Sequence, residues 1–190
     1  EDVVLNPKFM SLQNKLLRQN CKGNFKTLVK LMNVNPAMMS FLDTNDNRKD
    51  IPNENYAREL QELFTLGRGR YTEADVREVA RAFTGWGSRH HQFVFTPAFH
   101  DAGPKSFHGA TGALGGEDAV RVLTALPACH RFLADRLLRR FSHPEPTEVE
   151  VAELATVLQS SGGDVRAALR SMLLAPAFRD ATHHRALVRS

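Results

Sequence analysis

Apolar residues recur three or four positions apart along most of the chain, as they do on the buried face of an α-helix. The first segments with this spacing are residues 7–20, 24–33 and 35–43. Asn24 and Asn35 stand at the starts of the second and third segments, and Pro36 follows Asn35. Asparagine is a good helix N-cap and proline suits the first helical position, so the pattern predicts three consecutive helices.

The stretch NENYARELQELFTLG, residues 53–67, predicts a fourth helix with an apolar and a polar face. Its apolar face consists of Tyr56, Leu60, Leu63 and Phe64. Gly67 stands where a helix commonly ends in the left-handed conformation. The preceding residues, 43–53, are almost all turn formers and predict an exposed loop.

The helical period continues in residues 72–83 and is then lost from Trp86 onward. Residues 90–116 are rich in glycine and aromatic residues, and they predict a small β-hairpin or irregular lobe. The phenylalanines expected to hold this lobe together are Phe93, Phe95, Phe99 and Phe107. Four more helical segments follow, at 117–125, 127–141, 147–160 and 164–174. The fold class is therefore predicted to be mainly α, an irregular multi-helix bundle in a single domain, 1–190, with one small lobe.

Composition is that of an ordinary globular protein, with 42% hydrophobic residues, 24% charged residues and a net charge of +4. No apolar run is long enough to span a bilayer. Cys21 and Cys129 have no zinc-site spacing. The arginines around residues 68–81 are interleaved with acidic residues, which argues against nucleic-acid binding.

Residue usage changes near residue 67. All ten asparagines lie at or before Asn55, and six of seven lysines lie at or before Lys49. Arginine shows the opposite trend, with three before Gly67 and fifteen after it. We therefore hypothesise that two related sequences of different origin are joined near residue 67. The chain starts at Glu1 without a methionine or a targeting signal, so we also expect it to be a piece of a longer protein.

The polar face of the fourth predicted helix is the first candidate site. Glu59 and Glu62 lie one turn apart and offer two carboxylates to a divalent metal or to acid–base chemistry. Asn55 and Arg58 are the candidate binding residues beside them. The alternative is a solvated helix face, on which charge pairs contribute only about 0.2–0.5 kcal/mol each.

The segment HDAGPK, residues 100–105, is the second candidate site because binding groups concentrate on loops. His100 and Asp101 are candidate metal ligands, and Lys105 is a candidate anion-binding residue. The alternative is a structural turn in which Asp101 accepts backbone hydrogen bonds and Lys105 is solvated. Phosphate-binding, dinucleotide-binding and zinc-helix motifs do not occur in the chain.

Three longer strings contain these segments: PAMMSFLDTNDNRKDIPNENYARELQELFTLG, YTEADVREVARAFTGW and FHDAGPKSFHGATG. Together they resemble the C-terminal part of a large bacterial family known only as domain of unknown function 1800. The residues that match the family's motifs are Asn53, Glu54, Asn55, Arg58, Glu59, Glu62, Trp86, His100, Asp101, Gly103, Pro104, Lys105 and Gly109. Gln61 departs from the apolar or methionine-like residue expected beside Glu62.

The resemblance implies no established activity. It does imply an exported or envelope-associated bacterial protein, and it implies that N-terminal family segments outside this chain pack on it. Two functions stay open. In the first, Glu59, Glu62, His100 and Asp101 form a polar or metal-dependent site, with catalytic roles for the same four residues. In the second, the chain is a non-catalytic envelope-associated binding or scaffold module, and these residues are structural. Proximity of Glu59 or Glu62 to His100 or Asp101 would favour the first.

Overall fold

Helices account for most of the backbone in the computed structural model, which describes residues 7–90 and 92–180. The described helices are α1 (Pro7–Asn20), α2 (Phe25–Asn33), α3 (Pro36–Phe41), α4 (Asn55–Glu59), α5 (Glu73–Ala82), α6 (Gly116–Ala125), α7 (Pro127–Phe141), α8 (Glu148–Ser160) and α9 (Val165–Leu174). The predicted mainly α fold class is confirmed. Within the described residues, no helix is long and apolar enough to cross a membrane.

Side-chain caps begin several helices at the residues that the sequence indicates. The side chain of Asn24 accepts a hydrogen bond from the amide of Thr27, and that of Asn35 accepts one from the amide of Ala37. At the start of α5, Thr72 and Asp75 cap each other's backbone amides reciprocally. These contacts satisfy amides that have no partner inside the helix, which explains why short local patterns locate the helix starts well.

The fourth predicted helix departs from regular geometry. After α4 the backbone continues without a break as a π-helix from Leu60 to Thr65. The hydroxyl of Thr65 donates to the carbonyl of Leu60, 2.6 Å away. Because a π-helical turn contains more residues than an α-helical turn, the faces of the two halves do not align. Leu63, predicted to face the core, is instead 46% exposed.

The predicted lobe consists of two antiparallel hairpins. Strand β1 (Trp86–Arg89) pairs with β2 (Gln92–Phe95), and β3 (Lys105–Phe107) pairs with β4 (Ala110–Gly112). The lobe therefore begins at Trp86, a few residues earlier than expected.

Aromatic packing in the lobe differs in part from the prediction. Phe107 is fully buried, and the Trp86 ring meets the rings of Phe83 and Phe93 edge to face. Phe95 and Phe99 are less buried than the prediction of a core role requires, at 43% and 40% exposed. Phe95 nevertheless packs edge to face on the His100 ring of the lobe, and Phe99 lies under the Arg48 guanidinium.

Two clusters of buried side chains form the core. The first joins α2, α4, α5, α6 and Phe107 of β3, and the second joins α7, α8 and α9. The loop 43–53 carries two buried polar residues, Thr44 and Asn47, although it was predicted to be exposed throughout. The side-chain Nδ2 of Asn47 donates to the carbonyl of Ala80 at 2.8 Å. This contact anchors the loop to α5 and explains why Asn47 is buried.

Candidate functional site

The HDAGPK loop is bound to the C-terminal end of α5 through Thr84. The Thr84 hydroxyl accepts a hydrogen bond from the amide of Asp101 at 2.8 Å. The Nδ1 atom of His100 lies 2.8 Å from the Thr84 carbonyl oxygen. Because a carbonyl oxygen only accepts, Nδ1 carries the proton in this contact. The loop backbone and the imidazole are therefore both held by one threonine.

The Asp101 carboxylate is engaged on both oxygens. Its Oδ2 accepts from Nε of Arg81 at 2.7 Å, and its Oδ1 accepts from the amide of Gly103 at 2.8 Å. Arg81 also donates from Nη1 to both carboxylate oxygens of Glu78, each at 2.8 Å. The hydrogen bond from Arg81, followed by that from Gly103, holds the pKa of Asp101 below its usual range against the opposing effect of burial.

Lys105 lies inside the protein, with only 2% of its surface exposed. Its ammonium donates to the carbonyl oxygens of Asp101 and Gly103, at 2.5 and 3.0 Å. Burial lowers the pKa of Lys105, and the nearby Asp101 carboxylate opposes that shift. The structure thus places this candidate anion-binding residue inside the protein, where its ammonium joins two carbonyls of its own loop and is not solvated.

Two neighbouring ion networks occupy the polar face of the fourth helix, and Arg58 of the first also acts on Tyr71 and Glu62 of the second. Arg58 donates to Glu54 at 3.1 Å and forms a two-pronged pair with Glu73, both bonds being 2.8 Å long. One turn later, Oε1 of Glu62 accepts from Nε of Arg68 at 2.7 Å, and Oε2 accepts from the Tyr71 hydroxyl. These hydrogen bonds, that of Tyr71 first, lower the pKa of Glu62.

Glu59 and Asn55 have fewer contacts. Glu59 is half-buried, and its carboxylate makes no hydrogen bond or ion pair within residues 7–90 and 92–180. The side chain of Asn55 is exposed, and its backbone amide donates to Oδ1 of Asn53 at 2.9 Å. Asn53 therefore satisfies an amide at the start of α4.

The structure does not bring the four predicted metal ligands together. Glu62 belongs to the Arg68–Tyr71 network, and Asp101 belongs to the Arg81–Glu78 network. In the described part of the chain, no group of three or more His, Cys, Asp or Glu side chains is placed to hold a metal ion. A metal at these positions would need ligands from outside the described residues.

The two motif segments are nevertheless linked by Gln61. This residue of the π-helix is fully buried, and its Oε1 accepts a hydrogen bond from Nε2 of His108 at 2.8 Å. His108 lies in the β3–β4 turn with φ of 48°, and its amide donates to Oδ1 of Asp75 at 3.0 Å. We call the Gln61–His108–Asp75 contacts the latch. Burial lowers the pKa of His108, and Asp75 opposes that shift.

The latch and the central role of Arg81 were missed in the sequence. Glu78 and Arg81 have the i, i+3 spacing of a helix ion pair, which is a usable signal. His108 stands inside the third motif string without any local feature that sets it apart. Gln61 did stand out, as a polar residue where an apolar one was expected, and its burial beside His108 supplies the reason.

One family model matches the chain over residues 2–190, and its description is Protein of unknown function (DUF1800). This confirms the family resemblance carried by the three motif strings. The chain matches no curated protein and no solved structure at a significant level.

Proposed function

Because the chain belongs to the DUF1800 family, whose description gives no activity, we propose from its geometry that it is a non-catalytic binding or scaffold module. In this proposal the NENYAREL helix and the HDAGPK loop fix the position of the lobe relative to the helical core. The envelope location implied by the family resemblance is part of the same proposal.

The observation that carries the proposal is the closed hydrogen bonding of the HDAGPK loop. Asp101 is paired with Arg81, and Lys105 is buried against the carbonyls of its own loop. A catalytic acid, base or ligand needs a free lone pair or proton directed at a cleft. These two side chains use theirs within the fold, which supports a structural role.

Removal of the Asp101 charge tests the structural role. In Asp101→Asn the Arg81 guanidinium loses its carboxylate partner in a partly buried site, so we expect the free energy of unfolding to fall by about 1–3 kcal/mol. The control is Asp135→Asn, which breaks the Arg139 pair on the surface of α7 and is expected to cost no more than about 0.5 kcal/mol. Urea denaturation monitored by circular dichroism measures both variants.

Metal addition tests the same proposal from the other side. We expect Zn²⁺, Mn²⁺ and Mg²⁺, added to the chelator-treated protein, to leave its melting temperature unchanged. A saturable rise in melting temperature that Glu62→Gln and Asp101→Asn abolish would contradict the structural proposal. Equal stability losses in Asp101→Asn and Asp135→Asn would contradict it as well.

A second candidate function is favoured by the π-helix. Such segments are often found at functional sites, and this one begins directly after Glu59, whose carboxylate makes no hydrogen bond or ion pair among the described residues. In this alternative, Glu59 and Glu62 form a polar or metal-dependent site completed by groups outside the described part of the chain. The melting assay distinguishes this alternative from the structural proposal. A metal-dependent rise in melting temperature that Glu59→Gln abolishes, without a change in melting temperature in the absence of metal, would favour this alternative.

A further inference from the structure

A pocket of about 390 Å³ lies between α1, α2, α3 and the fourth helix with its π-helical continuation. Its walls are apolar, and they include Leu17, Phe25, Leu28, Met32, Met38 and Phe64. Leu63 and Leu17 are partly exposed at its mouth, so the pocket opens to solvent. The motif residues of the HDAGPK loop are not part of its lining.

Two buried polar side chains lie together in the wall of this pocket. The Tyr56 hydroxyl donates to Oδ1 of Asn33, and both residues are more than nine-tenths buried. The Nδ2 group of Asn33 has no hydrogen-bond partner among the described residues. A buried donor without a partner costs free energy, so a pocket that contains one favours a ligand with an acceptor.

The charge of the pocket restricts the ligand further. Lys, Arg, Asp, Glu and His do not contribute to the described lining, and burial raises the pKa of Tyr56, which keeps the phenol neutral. A carboxylate or phosphate placed here would lose its water without gaining a counter-charge. The pocket therefore suits an uncharged molecule.

The volume indicates the approximate size of the part of that molecule that the pocket encloses. An apolar cavity of about 150 Å³ binds benzene, so a pocket of this volume has room for roughly 15 non-hydrogen atoms. Ligand pockets typically combine such apolar walls with a few polar groups that fix the orientation.

From these observations we infer that the pocket binds a neutral, largely apolar small molecule whose single carbonyl or hydroxyl oxygen accepts a hydrogen bond from Nδ2 of Asn33. This inference rests on the proposed binding module and names its ligand class. It does not involve Asp101, Lys105 or a metal, so it is tested separately from the closed HDAGPK loop.

The probe for the test is 6-propionyl-2-(dimethylamino)naphthalene, a neutral fluorophore with one carbonyl whose emission shifts to the blue in apolar surroundings. The comparison probe is 6-propyl-2-(dimethylamino)naphthalene, in which a methylene group replaces the carbonyl. We expect both to bind the wild-type chain saturably at one site, with the carbonyl probe binding more tightly.

Two variants locate the binding site. Leu63→Trp places a bulky ring at the pocket mouth, and Leu174→Trp makes the same change at an exposed position of α9 in the other part of the molecule. We expect Leu63→Trp to abolish saturable binding of both probes and Leu174→Trp to leave it unchanged. Equal binding in these two variants, or no saturable binding to the wild-type chain, would overturn the inference.

A double variant tests the polar contact. Asn33→Leu with Tyr56→Phe removes the amide and the phenol together and so leaves no unpaired group. We expect the double variant to bind the carbonyl probe roughly 3- to 10-fold more weakly, relative to its binding of the carbonyl-free probe. This factor corresponds to the free energy of one hydrogen bond. An unchanged ratio would overturn the role of Asn33.

Sedimentation velocity separates a ligand from a second copy of the chain. We expect the wild-type chain and Leu63→Trp to sediment alike as monomers. A dimer that Leu63→Trp dissociates, together with no probe binding, would show that the pocket is an interface and would also overturn the inference.

Discussion

Gly116 shows at the scale of one residue how closely the lobe is packed on the helical core. A methyl group at this position would meet Cδ1 of Phe83 and Cζ2 of Trp86, each at 2.7 Å, which is closer than side-chain carbons approach. Phe83 is fully buried and meets the Trp86 ring edge to face, so the Phe83 ring has no room to move away. Glycine is therefore required at Gly116 for space.

We expect Gly116→Ala to lower the free energy of unfolding by about 1–2 kcal/mol. Overpacking lowers the free energy of unfolding by about 1–3 kcal/mol, whereas replacing a glycine in a helix by alanine raises it by up to about 1 kcal/mol. Gly115→Ser is the matched control, because nothing lies within 4 Å of its added Cβ and serine is a good N-cap for α6. Thermal melting measures both, and a melting temperature of Gly116→Ala equal to that of wild type would contradict the steric argument.

Local and non-local residues differ in how well the sequence predicts their roles. Asn24 and Thr72 were identified as caps because a cap depends on the three residues that follow it. Lys105 was predicted to be solvated or anion-binding, and its burial depends on the path of the whole HDAGPK loop across α5. No sequence pattern around a lysine reports which carbonyls a folded loop will present to it.

At the scale of elements, the latch joins the π-helix to the β3–β4 hairpin. Gln61 donates from Nε2 to the Ala57 carbonyl at 3.1 Å and accepts from His108, so the side chain is satisfied on both sides. In Gln61→Met the imidazole N–H of His108 loses its acceptor in a half-buried site. We expect the free energy of unfolding to fall by about 1–2 kcal/mol.

A double-mutant cycle isolates the latch from other effects of these substitutions. The partner variant is His108→Asn, because asparagine tolerates the left-handed backbone that His108 adopts. We expect Gln61→Met and His108→Asn to show a coupling free energy of about 1 kcal/mol in urea denaturation. Additive effects of the two substitutions would mean that the 2.8 Å contact contributes nothing to stability.

The π-helix explains why the fourth helix was predicted only in part. Tyr56 and Leu60 obey the 3.6-residue period and are buried, whereas Leu63 comes after the turn widens and is exposed. Gln61 lies within the widened turn and accepts a hydrogen bond from His108 of the distant hairpin. A period read from apolar residues assumes a uniform helix, so it fails at the point where the turn widens.

At the scale of the whole molecule, the two compositionally different parts of the chain share one core. Val29 and Leu60 precede residue 67, Val76 and Leu123 follow it, and all four belong to the first buried cluster. The Arg58–Glu73 pair also crosses the boundary. A join near residue 67 stays a hypothesis, and under it the two parts must already have shared the geometry of this cluster.

Acid sensitivity of the whole fold follows from two histidines, the half-buried His108 and the buried His130. Burial lowers the pKa of His108 and of His130, so the folded chain binds their protons less readily than the unfolded chain does. The free energy of unfolding therefore keeps this contribution above pH 6.5, which is about the pKa of a histidine in the unfolded chain. It falls as the pH drops from there through the lower pKa of the folded chain, by at most about 1.4 kcal/mol per pH unit for each histidine. Carboxylates such as Asp101 and Glu62, whose pKa values are lowered, lose their contribution in a separate window below about pH 4.5.

The melting temperature measured between pH 8 and pH 5 tests this first window. We expect His108→Asn to flatten the decline below pH 6.5, since the variant has one protonation site fewer in the unfolded chain. His90→Asn is the matched control, because it makes the same substitution at an exposed hairpin residue that also has positive φ. A decline as steep in His108→Asn as in His90→Asn would mean that protonation of the latch histidine does not weaken the fold.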